Sequence, residues 1–138
     1  MTQSECLARL QRSILIADDE PNILILMEQV LEELEEEGVK LFLVNNGTDA
    51  LSTLVAQRPA LVFLDVMMPE LSGFEVCRLV KDNPDLQSIY IVLLTAKGQA
   101  FDHEQGMAVG ADCYMTKPFR PKEILTKARR ILQRQAGN

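Results

Sequence analysis

An apolar run from Ala60 to Leu64 leads straight into a carboxylate, Asp65, and that junction constrains the fold more than any other feature of the chain. The stretch from Ala60 to Gly73 reads ALVFLDVMMPELSG. An unbroken run rich in Val, Leu and Phe suits a strand buried on both faces, as in a parallel sheet. Met67, Met68, Pro69 and Gly73 follow, and they predict a loop leading into a helix. Asp65 then lies at the carboxyl end of a central strand, where open α/β sheets place their ligand sites. A charge there is costly unless something compensates it. Its partners are expected at the ends of other strands.

The remaining segments repeat the strand-then-helix order. Ser13 to Ala17 is a short apolar run closed by Asp18, Asp19 and Glu20. Pro21 suits a first helical turn. Ile23, Met27, Val30 and Leu34 give a helix reaching about Glu37 its core stripe, while Glu28, Glu32, Glu33, Glu35, Glu36 and Glu37 fall mostly toward solvent. Gly38 is a stop. Val39 to Val44 is a second strand and Thr48 to about Gln57 a second helix. Ser72 and Glu75 have capping-box spacing and open a third helix near Gly73, carrying Phe74, Val76, Cys77 and Val80. Ile89 to Leu94 is a fourth strand ending at Thr95. A short helix is predicted from about Phe101 to Val109. It carries His103, the single histidine, which is read as exposed and without a catalytic role. Cys113 to Met115 is a fifth strand, closed by Lys117, Pro118 and Phe119. Pro121 opens a last helix with Ile124, Leu125, Ala128, Ile131 and Leu132 on its core face. This alternation predicts an α/β fold, a doubly wound parallel sheet with helices on both faces.

At 138 residues the chain suits one domain with one core. The expected division is an N-terminal extension over 1–12, the domain over 13–134 and a tail over 135–138. A net charge of −6 argues against direct nucleic acid binding, because phosphate backbones want Lys and Arg. No apolar run is long enough to span a bilayer, so no membrane insertion is expected. Cys6, Cys77 and Cys113 are scattered and form neither a disulfide framework nor a zinc motif, which suits thiols in a reducing cytoplasm.

In a parallel sheet the ends of all strands share one edge. Asp18 and Asp19 follow the first strand, Asp65 the third, Thr95 the fourth and Lys117 the fifth. The three carboxylates converge there and raise one another's pKa. A hard divalent cation with oxygen ligands relieves that repulsion, and so does the Lys117 ammonium. Mg²⁺ suits a site with few carboxylates plus water and phosphate. The arrangement fits Asp65 as a nucleophile toward phosphorus, with the cation and Lys117 balancing charge and Thr95 offering its hydroxyl to a phosphoryl oxygen.

The segments ILIADDEPNI at 14–23, LVFLDVMMPELSGFEV at 61–76, IVLLTA at 91–96 and GADCYMTKPF at 110–119 together resemble the receiver domain of two-component response regulators, the chemotaxis regulators among them. The resemblance implies a flavodoxin-like (βα)5 sheet of strand order 2-1-3-4-5. It implies phosphorylation of Asp65 by a histidine kinase or histidine phosphotransfer protein. It implies a phosphoacceptor switch whose only catalysis is of its own phosphorylation and dephosphorylation. It implies Mg²⁺ held by Asp19 and Asp65 directly, by Asp18 through water and by the Met67 backbone carbonyl. Thr95 and Tyr114 match the family's switch pair, and Lys117-Pro118 matches a peptide bond that is cis in the family. The residues two beyond the phosphorylated Asp and the Thr, here Met67 and Lys97, flank the path of an attacking water. The signal is expected to leave through the surface of the fourth predicted helix, the fifth strand and the basic last helix. That surface suits either a phosphorylation-dependent homodimer or a partner of complementary charge.

Readings from other classes lack their residues. A phosphatase with an aspartate nucleophile wants a second Asp two residues on, where Met67 stands. A nucleotide- or flavin-binding module wants a Gly-rich loop after the first strand, and DDEPN has no glycine. QRQAGN after Leu132 is too short for an output module. A single-domain regulator and a receiver excised from a multidomain regulator or hybrid kinase both stay open, and the kinase and downstream effector are not legible.

Overall fold

The apolar and amphipathic stretches form five strands and four helices across residues 11–96 and 108–136, the part of the chain described by the computed structural model. In chain order these are β1 (Gln11–Ala17), α1 (Pro21–Glu36), β2 (Lys40–Val44), α2 (Gly47–Gln57), β3 (Pro59–Asp65), α3 (Gly73–Lys81), β4 (Tyr90–Ala96), β5 (Cys113–Lys117) and α4 (Pro121–Ala136). The strands make one sheet of order β2-β1-β3-β4-β5, and every neighbouring pair is parallel. The predicted helix at 101–109, with His103, lies mostly outside the described residues, as does Lys97.

β3 explains why its sequence lacks alternation. It is buried from Pro59 to Asp65 because helices cover both faces of the sheet. Successive side chains point to opposite faces. Ile14, Ile16, Leu61, Phe63, Val92 and Leu94 therefore meet one helix layer, Met27, Leu31 and Leu34 of α1 with Ile124, Ala128, Ile131 and Leu132 of α4. Leu15, Ala17, Val62, Leu64, Ile91 and Leu93 meet the other, Ala50 and Leu54 of α2 with Val76, Cys77 and Val80 of α3. Losing one large side chain here, such as the fully buried Phe63 ring, costs about 3–5 kcal/mol. Ser72 and Glu75 form the capping box expected for α3.

Several boundaries and faces differ from expectation. β1 begins at Gln11 rather than Ser13. β4 and β5 run on to Ala96 and Lys117, because the ladder continues through the pairs Thr95–Thr116 and Ala96–Lys117. Backbone groups in a buried sheet need those partners whatever the side chains are. In α1 the buried stripe is Met27, Leu31 and Leu34, while Ile23 and Val30 are only partly covered. The Glu-rich end of α1 is exposed but not merely solvated. The Arg129 guanidinium of α4 binds Glu33 and both carboxylate oxygens of Glu37, the latter at 2.9 and 2.6 Å. That bond lowers the Glu37 pKa and raises that of Arg129. One cation of the basic last helix is thus tied to the fold. No helix among the described residues is long and apolar enough to cross a membrane.

Candidate functional site

The carboxyl edge of the sheet gathers the acids. Asp18 leaves the end of β1 with its N–H donating to the Val44 carbonyl, 3.2 Å away. It is fully buried, and Asp65, the last residue of β3, is 95% buried, whereas Asp19 is exposed. One carboxylate oxygen from each of Asp18, Asp19 and Asp65 can be chosen so that all lie within 4.8 Å of one another.

Two close approaches shape the loop after Asp65. The Gly73 N–H donates to the Val66 carbonyl at 2.9 Å. A Cβ on Gly73 would stand 2.2 Å from the Asp65 carbonyl oxygen, so only glycine lets α3 start this near the site. The Gly47 N–H donates to the Pro69 carbonyl at 3.2 Å, and a Cβ there would meet Leu71 O at 1.9 Å.

Lys117, the last residue of β5, projects its ammonium among the acids. Its Nζ lies 2.8 Å from Asp18 Oδ2, 3.1 Å from Glu20 Oε1 and 3.6 Å from Asp65 Oδ2. Burial alone would lower its pKa, but the three carboxylates outweigh burial and raise it. The Asp65 pKa is pushed up to about 7, first by burial and then by the Asp18 charge, against the opposing pull of Lys117 and of a hydrogen bond donated by the Met67 N–H to Oδ1 (3.2 Å). One ammonium does not balance this many carboxylates, and Asp18 Oδ2, although beside Lys117, has no hydrogen bond of good geometry. A buried, under-satisfied carboxylate oxygen in an all-oxygen donor set fits a hard divalent cation such as Mg²⁺.

The predicted residues are thus placed as follows. Asp18, Asp19, Asp65 and Lys117 come together. Thr95 is buried one residue beyond Leu94, the β4 partner of Asp65. Tyr114 pairs with Leu93, so it shares a sheet face with Thr95 and stands diagonally from it; it is partly buried against the α2–α3 layer. Met67 offers its N–H to Asp65 while its side chain is 64% exposed at the rim, and Met68 packs partly into the core. The Lys117–Pro118 peptide is cis, as the resemblance implies. The sequence reading gave Glu20 no part. Its signal was a third acid directly after Asp18 and Asp19.

A family model described as response regulator receiver domain matches residues 14–129. The alkaline phosphatase synthesis transcriptional regulatory protein PhoP of Bacillus subtilis is 38% identical over 125 residues, covering 91% of this chain and 50% of that protein. The chain spans about half the length of the curated relatives it matches. The signal receiver domain of a signal transduction histidine kinase from Syntrophus aciditrophicus superposes with a TM-score of 0.78 at 35% identity, covering 88% of this chain and 89% of that one. The receiver domain of a sensor histidine kinase from Pseudomonas aeruginosa, solved with a magnesium ion coordinated in its active site cleft, gives a TM-score of 0.75 at 29% identity and covers 91% of this chain and 98% of that one.

Proposed function

The chain belongs to the response regulator receiver domain family, and on that premise we propose that it is a phosphoacceptor switch whose acidic cleft takes a phosphoryl group on Asp65. The observation that carries this reading is the position of Asp65: the end of the central strand, nearly buried, beside two further acids and a lysine ammonium. Receiver domains of this family take phosphoryl groups from histidine kinases. Here the donor is a phosphohistidine on a histidine kinase or histidine phosphotransfer protein. An Asp65 carboxylate oxygen attacks phosphorus, the O–P bond forms as the P–N bond breaks, and the imidazole leaves. The Met67 N–H holds Asp65 Oδ1 in place. The Lys117 ammonium balances charge on the moving group. Thr95 then gives its hydroxyl to a phosphoryl oxygen.

Asp19, Asp65 and the Met67 carbonyl would hold a Mg²⁺ ion, with Asp18 acting through water, and the ion would supply charge neutralisation of the acids and of the transferring group. The complete burial of Asp18, its ion pair to Lys117 and the hydrogen bond it accepts from Glu20 N–H at 2.9 Å suit the outer position.

The proposed receiver unit spans 13–134, and catalysis is confined to its own phosphoryl gain and loss. A hydroxyl shift at Thr95 reaches Tyr114 on the same sheet face, and β5 with the last helix carries the signal to a second copy or to an effector of complementary charge. No direct nucleic acid contact is proposed for this chain, whose net charge is −6. The test incubates the protein with a small phosphodonor and Mg²⁺ and weighs it intact. One phosphoryl mass is expected, absent from Asp65→Asn and lost in excess chelator. Equal labelling of Asp65→Asn would sink the assignment.

A further inference from the structure

Glu20 stands where a helix wants a cap. It precedes Pro21 with an extended backbone, yet its side chain makes no capping hydrogen bond, and the first turn of α1 holds no acid to serve the dipole. Its carboxylate turns instead across the site to Lys117 Nζ, 3.1 Å away and 97 positions along the chain. Its backbone N–H fixes Asp18 Oδ1 from the other side at 2.9 Å. An ammonium has three donors. Here three carboxylates surround it, and Asp65 is the most distant of them.

These three contacts are not equivalent. The Asp18 and Asp65 side chains are 0% and 7% exposed, and that of Glu20 is 59% exposed. A solvent-facing ion pair is screened and weak. Anything that enters from solvent and bonds to Asp65 displaces the Glu20 contact first.

We propose that Glu20 is a positioning residue, a placeholder that occupies on Lys117 the bond a phosphoryl oxygen takes when Asp65 is phosphorylated. The inference rests on Asp65 as the acceptor and adds a competitor to that reaction. Between transfers Glu20 holds the ammonium at the mouth of the cleft. During transfer its carboxylate must let go, because two anions cannot share one donor of the ammonium without repelling each other. Glu20 therefore slows acquisition of the phosphoryl group, and its loss speeds it.

The experiment compares wild type, Glu20→Gln, Glu20→Ala and Glu70→Gln, the last removing one charge from the loop after β3. The first readout is the side-chain nitrogen resonance of Lys117 by NMR, without any phosphodonor. It should move in both Glu20 variants and stay in Glu70→Gln. The second is the rate of phosphoryl gain from acetyl phosphate with Mg²⁺, by intact mass. Glu20→Ala should gain it roughly threefold to fivefold faster than wild type, the scale of a lost exposed ion pair. Glu20→Gln, which keeps an acceptor without the charge, should fall between, and Glu70→Gln should match wild type within about twofold. An unmoved Lys117 resonance, a Glu20→Ala rate equal to or below wild type, or an equal acceleration in Glu70→Gln would overturn the inference. Failure of wild type itself to gain the mass would instead remove the Asp65 reading, while the resonance still reports the Glu20 contact.

Discussion

Two lysine–aspartate pairs stand at opposite edges of the same sheet. At the amino edge, Lys81 Nζ lies 2.7 Å from Asp112 Oδ2 and donates to the carbonyls of Gln87 (3.0 Å) and Ile89 (2.8 Å). The Asp112 oxygen also accepts from the Ile91 N–H at 2.8 Å. Three donors meet three acceptors, and one positive charge meets one negative. At the carboxyl edge one ammonium faces Asp18, Glu20 and Asp65, with Asp19 adjoining, and a buried oxygen of Asp18 lacks a good hydrogen bond. The first pair is complete and clamps the starts of β4 and β5. The second is short of positive charge, which suits the proposed entry of a cation and a phosphoryl group.

Of the changes at the two edges, removing the complete pair should cost the most stability. Lys81→Met leaves Asp112 and two carbonyls without their cation. We expect a cost of about 2–3 kcal/mol in urea unfolding, below that of a wholly buried pair because the lysine side chain is 16% exposed. A cost under about 0.5 kcal/mol would dissolve the contrast between the two edges.

The incomplete pair should show itself next, through pH. Without metal, folded Asp65 keeps its proton up to about pH 7, whereas the unfolded residue loses it near its ordinary value of 3.8. The stabilising contribution is therefore fully present below about pH 4 and is lost as pH rises through about 7. Screening limits the swing to no more than about 2 kcal/mol. The difference curve between wild type and Asp65→Asn, measured in chelator from pH 4 to 8, should slope against wild type as pH rises. A flat difference would mean that Asp65 titrates as an ordinary carboxylate.

A smaller effect tests whether an unmet hydrogen bond alone makes a site. Ser13 Oγ is buried without a partner but carries no charge. Ser13→Ala should change stability by no more than about 0.5 kcal/mol, with any change toward greater stability, and should leave phosphoryl gain untouched. Ser13 sits toward the amino end of β1, opposite Lys40, so a loss of phosphorylation there would show that an unmet hydrogen bond away from the acidic cleft tunes the site without any charge.

The two edges also differ in how far they can be read from sequence. Asp65 was legible because it follows an apolar run, and Asp18, Thr95 and Lys117 because strand ends of a parallel sheet share one edge. Lys81 and Asp112 carry no such mark. Lys81 is the last residue of α3 and looks like a solvated lysine at a helix end, and Asp112 like a turn residue after Gly110. Only the packing of α3 beside β4 and β5 brings them together. The same holds for Arg129, whose partners, Glu33 of α1 and Glu37 just past its end, lie more than ninety positions away. Glu20 was visible as an acid, but its side chain could equally have capped the helix it precedes. Periodicity found the core helices yet missed that Leu31 rather than Val30 is the buried member of the α1 stripe, since neighbouring positions both fit a helical face.

On its own the carboxyl edge carries more negative charge than the Lys117 ammonium balances. Urea unfolding of wild type and Asp65→Asn at neutral pH, once in chelator and once in saturating Mg²⁺, tests it most directly. In chelator Asp65→Asn should be the more stable by about 1–2 kcal/mol, because Asn needs neither a buried charge nor the uptake of a proton on folding. In Mg²⁺ the order should reverse if, as proposed, that carboxylate takes the ion, since an ion bound only to the folded wild type adds stability by mass action. Wild type more stable under both conditions, or a wild-type midpoint that Mg²⁺ leaves unmoved, would contradict the account.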